Sequence, residues 1–269
     1  MTNLHILVPL VLAVFSTNVE AQQTGFQTDK MTQKWSFDVR WQDHGRKRHR
    51  VEFSLPAARI QSDLSVPLRF NKRAANVDIV RAINEYGETI KNVQIKARVN
   101  PGGSVDVRAR GPAGATRKAM GALKKIQNDA MRDYLRRNGF AKLKGKVIPN
   151  HARYARMYAE HLAPVARAMG AGELNRRQYA SRALSFVQSI PYEKGKNGGD
   201  KGFRLPLAVL GQNRGDCDSK AVLYLALMRA AYPKTESAIV YIKGHAFVGL
   251  GLPVRKGDVG FQAAGRQWL

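Results

Sequence analysis

The chain contains a single cysteine, Cys217, in the segment RGDCDSK (214–220), directly before an apolar stretch (221–230) that predicts a helix. The first amides of a helix have no intrahelical partners and the helix dipole is positive there, so an anionic thiolate is stabilised at that position. A lone cysteine cannot form an internal disulfide. The alternative to a reactive thiol is that Cys217 is a small, buried hydrophobic residue. The preceding glycine and the flanking acids favour instead a strand-to-helix turn that presents a reactive thiol.

A histidine that can serve as the base for this thiol, His245, follows in YIKGHAFVGL (241–250), a segment that predicts one or two strands. Imidazole can take the proton of a thiol and later give it to a leaving amine, so this order is that of a sulfur nucleophile and its base. Of the other five histidines, His5 is predicted to lie in a leader. His44 and His49 are predicted in a charged turn, and His151 and His161 on the solvated face of an arginine-rich helix.

Four segments taken together resemble the transglutaminase-like cysteine hydrolases of bacteria, a branch of the papain-like superfamily. They are FVQSIPY (186–192), LPLAVL (205–210), GDCDSKA (215–221) and GHA (244–246). The resemblance implies an α+β domain in which the cysteine opens a helix packed on an antiparallel sheet and the histidine lies on an adjoining strand. It also implies that Cys217 is the nucleophile, that His245 is the base, and that an acid on the next strand orients the imidazole.

The remaining parts of such a site are less well defined in this sequence. An oxyanion hole would use the backbone amide of Cys217 and a second donor, for which Gln212, Asn213 and Tyr192 are candidates. The segment GRQWL (265–269) looks like the beginning of the strand that carries the acid. Either the acid follows in a longer chain, which is the favoured interpretation, or Asp258 substitutes for it in an incomplete site. Asp258 ends RKGD (255–258), which predicts a turn.

The beginning of the chain predicts export. An apolar run over residues 4–15 is followed by STNVEA (16–21), the pattern of a secretory signal peptide over residues 1–21 with cleavage after Ala21. The run is shorter than the about 20 residues that a transmembrane helix needs, and an uncleaved anchor is the alternative. The sequence therefore predicts a periplasmic or secreted protein, stabilised by its core because one cysteine cannot make an internal disulfide.

The rest of the chain predicts two parts. Residues 22–112 read as a β-rich module, with period-two alternation in a hairpin over 34–55 and a second hairpin around NPGG (100–103). From about residue 115 the period becomes helical, and helices are predicted over 150–169 and 173–189. Residues 113–269 therefore read as the catalytic domain, with the boundary near GPAG (111–114). A glycine-rich loop at 195–202 either borders the substrate cleft or is a plain surface loop.

The charge predicts an anionic partner. The chain has 45 Lys and Arg against 20 Asp and Glu, a net charge of +25, and such a field attracts polyanions. Nucleic acid is disfavoured because the basic residues are dispersed and are not interleaved with aromatic residues. An anionic envelope polymer, a membrane surface or an acidic peptide fits better, and a merely solvated basic surface is the alternative. The candidate contact is the basic cluster Arg46, Lys47, Arg48 and Arg50.

These observations predict an exported cysteine hydrolase or acyltransferase that acts on amide or peptide bonds through a thioester. The sequence contains no phosphate-binding glycine pattern and no zinc-ligand spacing, so neither a cofactor nor a metal is predicted. The main alternative is a non-catalytic, envelope-associated binding protein that retains the transglutaminase-like fold. A nucleic-acid-binding protein is the third interpretation.

Overall fold

The computed structural model describes residues 5–7, 21–65, 68–193, 202–242 and 245–269, and these form a mixed α+β structure. Within these ranges there are eight helices and a set of small sheets that are antiparallel except for one parallel strand pair. The expected α+β class is therefore confirmed. The chain divides into two compact units, one formed by Met1–Leu68 with His151–Leu269 and the other by Arg69–Asn150.

The elements are numbered in chain order. The first unit contains the strands β1 (His5–Leu7), β2 (Gln22–Lys30), β3 (Lys34–Gln42), β4 (Arg48–Pro56), β9 (Ser237–Ile242), β10 (His245–Leu250), β11 (Phe261–Ala263) and β12 (Arg266–Trp268). Its helices are α1 (Ala57–Ser65), α4 (His151–Tyr158), α5 (Ala163–Ala168), α6 (Arg176–Ser189), α7 (Pro206–Gln212) and α8 (Cys217–Ala231). The second unit contains α2 (Lys72–Thr89), β5 (Gln94–Val99), β6 (Val105–Arg110), α3 (Ala113–Arg137), β7 (Phe140–Leu143) and β8 (Lys146–Pro149).

The hairpin predicted over residues 34–55 is confirmed as β3 and β4. The strands pair in antiparallel register from Lys34 opposite Pro56 to Gln42 opposite Arg48, and β2 adds a third strand along β3. Alternate side chains are buried, as period-two patterning requires. Among them, Trp41 is 1% exposed, donates through Nε1 to Ser185 Oγ at 2.9 Å, and meets the ring of Phe186 edge-on. The hairpin is thereby fixed against α6.

Helix α8 lies at the centre of the first unit. Nine of its residues are buried, and it contacts α4, α5, α6, α7 and β10. A helix that is apolar on all sides is stable only inside a protein, so its neighbours must enclose it. Helix α6 begins with a capping box in which the Asn175 side chain accepts from the Gln178 amide and the Gln178 side chain accepts from the Asn175 amide. The helices predicted over 150–169 and 173–189 are confirmed in outline as α4, α5 and α6.

Five tyrosines of this unit have phenols that are buried in the core or partly buried against it. The pKa of each phenol is raised above its ordinary value, mainly by burial. These residues are Tyr154, Tyr158, Tyr179, Tyr224 and Tyr241. The hydroxyl of Tyr224 donates to the carbonyl of Ala180, and that of Tyr179 lies 3.4 Å from the carbonyl of Leu227. These phenols are held in their protonated form.

The expected leader is only partly within the described residues. Strand β1 lies inside it and pairs in parallel with β9, from His5 opposite Ile239 to Leu7 opposite Tyr241. Ala21, the expected cleavage position, is buried. Over the described residues, none of the helices has the length and apolarity needed to cross a bilayer.

In the second unit, α2 and α3 pack on one face of the β5–β6 hairpin. The shared core contains Ile79, Ile83 and Leu123 from the helices and Ile95 from the hairpin. The predicted hairpin around residues 100–103 is confirmed, and the helical period expected from about residue 115 corresponds to α3, which ends at Arg137. The boundary expected near residues 111–114 falls inside this unit, at the start of α3.

The region predicted to be β-rich also contains two helices, α1 and α2. In α2 the buried side chains Ala75, Ile79 and Ile83 recur every four residues, which is a helical stripe rather than a strand pattern. The helix begins at Asn71, whose side chain accepts from the amide of Ala74. Both signals are present in the sequence, and they identify the helix once a window longer than a strand is considered.

Candidate active site

The thiol of Cys217 is presented by the first residue of α8. Asp216 is the N-cap and is buried, and its carboxylate accepts from the amide of Ser219 at 2.8 Å. The predicted helix start is therefore confirmed, whereas the predicted strand before it is not. Helix α7 ends there instead, Asn213 adopts a left-handed conformation with φ 49°, and Gly215 forms a one-residue bridge with Tyr192.

His245 is brought to the thiol by β10. It is the first residue of that strand, which pairs in antiparallel register with β9, and its Nδ1 lies 2.9 Å from Cys217 Sγ. The sulfur is half-buried and the imidazole is exposed, so both atoms can be reached from solvent. A distance of 2.9 Å is within reach of direct proton transfer between the thiol and the imidazole.

Tyr192 also lies beside the sulfur, with its hydroxyl 3.7 Å from Sγ. Two backbone hydrogen bonds hold it there, from the Glu193 amide to the Gly215 carbonyl at 3.2 Å and from the Gly215 amide to the Pro191 carbonyl at 3.3 Å. Because Gly215 is two residues from Cys217, this bridge fixes the position of the tyrosine relative to the thiol.

An ion pair supports the same bridge. Arg204 binds both oxygens of the buried Glu193 carboxylate, at 2.5 and 2.8 Å, and its amide donates to Ser219 Oγ at 2.8 Å. A bidentate pair of this kind fixes orientation as well as distance. Residues 194–201, which hold most of the predicted glycine-rich loop, lie outside the described residues.

Lys220 joins the end of α6 to the start of α8. Its ammonium donates to the carbonyl of Ile190 and lies 3.4 Å from that of Gln188, which are carbonyls at the C-terminal end of α6. Lys220 is three residues after Cys217 and therefore on the same side of α8. Sequence reasoning did not select this residue, although the spacing of three within a predicted helix was visible.

A cavity of about 1320 Å³ opens in front of the thiol. Helix α6, helix α8 and strand β10 form most of its wall, and Gln22, Gln23 and His44 contribute from the N-terminal strands and turn. Apolar side chains such as Leu184, Val187 and Val248 alternate with polar groups, and the part of the lining that the structure describes includes no Asp or Glu. This combination of apolar walls and a few polar groups is typical of a ligand site.

Of the three candidate oxyanion donors, the structure places only Tyr192 beside the sulfur and in the cavity wall. The side-chain amide of Asn213 is paired with that of Gln23, 190 positions earlier, through two hydrogen bonds of 2.7 and 3.0 Å. Neither Gln212 nor Asn213 is among the described residues that line the cavity. The pairing instead anchors β2 to the turn that precedes Cys217.

Asp258 makes no contact within 4.0 Å of the imidazole nitrogens and instead forms an ion pair with Arg177. Its carboxylate binds both terminal nitrogens of Arg177, at 2.7 and 2.9 Å, and accepts from the Arg255 amide at 2.6 Å. The hydrogen bond from Arg177, followed by that from the Arg255 amide, lowers the pKa of Asp258. Within the described residues no carboxylate lies within 4.0 Å of the His245 ring nitrogens.

The segment GRQWL was expected to begin the acid-bearing strand. It contains β12, the second strand of the β11–β12 hairpin. Trp268 is buried against Ala238. Leu269 then pairs with Leu250, the last residue of β10, through reciprocal backbone hydrogen bonds of 2.7 and 3.0 Å. The segment therefore reaches the histidine strand at the end far from His245.

Two histidines that were expected on the surface are buried, so that prediction was wrong. The side chain of His49 is 7% exposed, stacks on Trp41, and binds the Asp43 carboxylate at 2.7 Å. His151 is fully buried, bonds through Nδ1 to the Tyr241 hydroxyl, and has Nε2 3.6 Å from the carboxylate of Asp218, the residue after Cys217. The apolar and aromatic residues three, four and seven positions after His151 place it on the buried face of α4.

The basic cluster of Arg46, Lys47, Arg48 and Arg50 lies among carboxylates. Arg50 binds Asp38 at 3.0 Å and also pairs with Glu52, and the amide of Lys47 donates to Asp43. The arginine hydrogen bonds lower the pKa of Asp38 to about 2, the bond from Arg50 being the largest cause. Of the four cations, only Arg50 has a carboxylate within 4.0 Å among the described residues, so the charge of the cluster is compensated in part.

Comparison of the chain with protein-family models, with curated proteins and with solved structures found no match. Across the described residues, no three or more His, Cys, Asp and Glu side chains are grouped so as to hold a metal ion.

Proposed function

We propose that this chain is a transglutaminase-like cysteine hydrolase or acyltransferase that acts on amide bonds through a thioester on Cys217. The observation that carries the proposal is the 2.9 Å approach of His245 Nδ1 to a thiol at the start of α8, on the wall of a large cavity. A structural cysteine is buried among apolar side chains and has no need of an imidazole. The four segments that resemble the family support the same conclusion and the papain-like fold that it implies.

The reaction uses the groups in a simple order. His245 takes the thiol proton, and the sulfur attacks the carbonyl carbon to form a C–S bond, with the oxyanion facing the Cys217 amide and the Tyr192 hydroxyl. The C–N bond then breaks and the imidazolium gives its proton to the departing amine. Water attacks the thioester, His245 accepts a proton from the water, and the carboxylic acid and the thiol are released.

Hydrolysis is the favoured outcome of the second step. An amine that attacked the thioester in place of water would make the protein a crosslinking enzyme, and such a reaction needs a site that holds the amine and excludes water. No residue pattern specifies an amine site. The predicted leader places the activity in the periplasm or outside the cell, where N-terminal sequencing of the mature protein would find Gln22 as its first residue.

The first test is the rate at which iodoacetamide alkylates Cys217 as a function of pH, in the folded wild type and in His245→Ala. We expect faster labelling in the wild type than in the variant, because the imidazole 2.9 Å from the sulfur can take the thiol proton. His44→Ala is the matched control, since it removes an imidazole from the same cavity wall without touching the sulfur. Labelling that is equally slow in all three proteins would contradict the proposal.

A second candidate function is a binding protein that retains this fold without catalysis. The observation that favours it is the lack of a carboxylate beside the His245 ring within the described residues. Slow alkylation at every pH, unaffected by His245→Ala, would make this the better description. The cavity would then serve as a binding site only.

A further inference from the structure

The positive charge of the chain is concentrated in its second unit. Residues 69–150 contain 19 Lys and Arg against 6 Asp and Glu, a net charge of +13, which is more than half of the +25 of the whole chain in less than a third of its length. The basic cluster at residues 46–50 lies in the other unit and is partly neutralised by carboxylates. An anionic partner is therefore better sought on the second unit.

The two faces of the β5–β6 hairpin differ completely in character. Ile95, Ala97, Val105, Val107 and Ala109 belong to the apolar face that packs in the unit's core. The opposite face carries three cross-strand pairs, which are Gln94 with Arg110, Lys96 with Arg108, and Arg98 with Asp106. It has no apolar or aromatic side chain, and its four cations are all exposed.

The four cations form a diagonal band across this face. Arg110 and Arg108 are two residues apart on β6, Lys96 lies directly opposite Arg108, and Arg98 is two residues beyond Lys96 on β5. Side chains two apart on one strand are about 6.6 Å apart, and directly opposed side chains are about 5 Å apart. The band is therefore a line of positive charges at short, nearly even steps.

This arrangement is unfavourable for the isolated hairpin. Like charges directly opposite each other, as in Lys96 and Arg108, destabilise a sheet. Of the four cations only Arg98 has a carboxylate within 4.0 Å in the part of the chain that the structure describes, and that contact, with Asp106, is 3.9 Å long. A partner that supplies negative charge along the band would relieve this repulsion.

The hairpin is held rigidly, so the band is formed in advance of binding. The Asn84 side chain from α2 bonds both to the Ala97 amide at 2.7 Å and to the Ala97 carbonyl at 3.2 Å. The side chain of Asn76 donates to the Gly103 carbonyl at 2.6 Å and anchors the turn. Little conformational entropy is then lost from the backbone when a ligand is bound.

We propose that this band binds a flexible linear polymer of phosphate groups through its Lys and Arg side chains. A line of cations fits a chain of anions, whereas a flat anionic membrane would also meet Asp106 at one corner of the face. The absence of aromatic side chains on the face leaves no platform for stacking bases, so contact is to the phosphates alone. This inference is independent of the chemistry of Cys217.

The test compares Lys96→Gln/Arg108→Gln with Lys142→Gln/Lys146→Gln in the full chain, using long-chain inorganic polyphosphate as the probe. Both double variants remove two exposed positive charges from hairpins of the same unit. We expect the first to bind polyphosphate about 10- to 30-fold more weakly at 0.1 M salt. We also expect the negative slope of log K against log salt to become shallower by about 1.4, because two cations fewer displace counterions. We expect less than a threefold effect from the second.

Thermal unfolding of the two variants completes the test. Because Lys96→Gln/Arg108→Gln removes a repulsive pair, its Tm should equal or exceed that of the wild type, which excludes misfolding as the cause of weaker binding. Equal weakening by both double variants would overturn the proposal, since binding would then follow net charge alone. Binding to phosphatidylglycerol vesicles without binding to polyphosphate would overturn it as well.

Discussion

His245→Ala is expected to slow the release of p-nitrophenolate from p-nitrophenyl acetate by a factor of about 10² to 10⁴. The ester tests the proposed chemistry directly, because the sulfur must attack a carbonyl and expel a leaving group. In the proposed reaction the imidazole 2.9 Å from Sγ takes the thiol proton, and general base catalysis of this kind contributes about 10² to 10⁴ in rate. Stopped-flow measurement at 400 nm separates acylation from turnover.

Two further variants make the result specific. Cys217→Ser should lose both the acylation burst and turnover, because a hydroxyl is a far weaker nucleophile than a thiolate. Tyr192→Phe should lower the acylation rate, because the oxyanion would lose the hydroxyl that lies 3.7 Å from the sulfur. An ester rate that is the same in His245→Ala and wild type would show that the pair is not a catalytic unit.

Trp41→Ala is expected to reduce the free energy of unfolding by about 3 to 5 kcal/mol. The indole is 1% exposed, stacks with His49, meets Phe186 edge-on and donates to Ser185. Removing a side chain of this size from a packed core loses its transfer free energy and leaves a cavity. The empty space would lie under α6, and α6 also lines the cavity in front of Cys217. The alkylation of Cys217 should therefore show a spread of rates in this variant.

The measurement is urea denaturation followed by far-ultraviolet circular dichroism, with Val259→Ala as the control. Val259 is 93% exposed, so its truncation should change the denaturation midpoint within error. The denaturation midpoint of Trp41→Phe should fall between those of Trp41→Ala and Val259→Ala, because this variant keeps an aromatic ring but loses the hydrogen bond to Ser185. A loss below about 1 kcal/mol for Trp41→Ala would mean that the hairpin does not depend on this contact.

Local patterns were sufficient for the parts of the structure that depend on neighbouring residues. The alternation of Trp35, Phe37, Val39 and Trp41 predicts the β3 strand because side chains alternate across a sheet. The start of α8 was predicted for an equally local reason. An acidic residue before the apolar stretch, Asp216, can accept hydrogen bonds from the free amides of the first turn of the helix. Proximity of Cys217 and His245 was inferred from motif order, and the structure places them in contact.

Contacts that join distant segments could not be predicted in this way. The pairing of Asn213 with Gln23 spans 190 positions, and the sequence around either residue contains no signal of the other. The single-residue bridge between Tyr192 and Gly215 leaves no strand pattern, because one pair of residues has no periodicity. The charge band of β5 and β6 was missed for a related reason, since its cations become adjacent only in the hairpin register.

The five buried phenols set an alkaline limit to the stability of the first unit. In the unfolded chain these tyrosines ionise near pH 10, whereas burial raises the pKa of each in the folded protein. Their contribution to stability is fully present below pH 10 and is lost as the pH rises through the raised values, because the unfolded state releases protons that the folded state retains. Of the nine tyrosines, these five should therefore develop tyrosinate absorbance at 295 nm in one cooperative step, at the pH where the core opens.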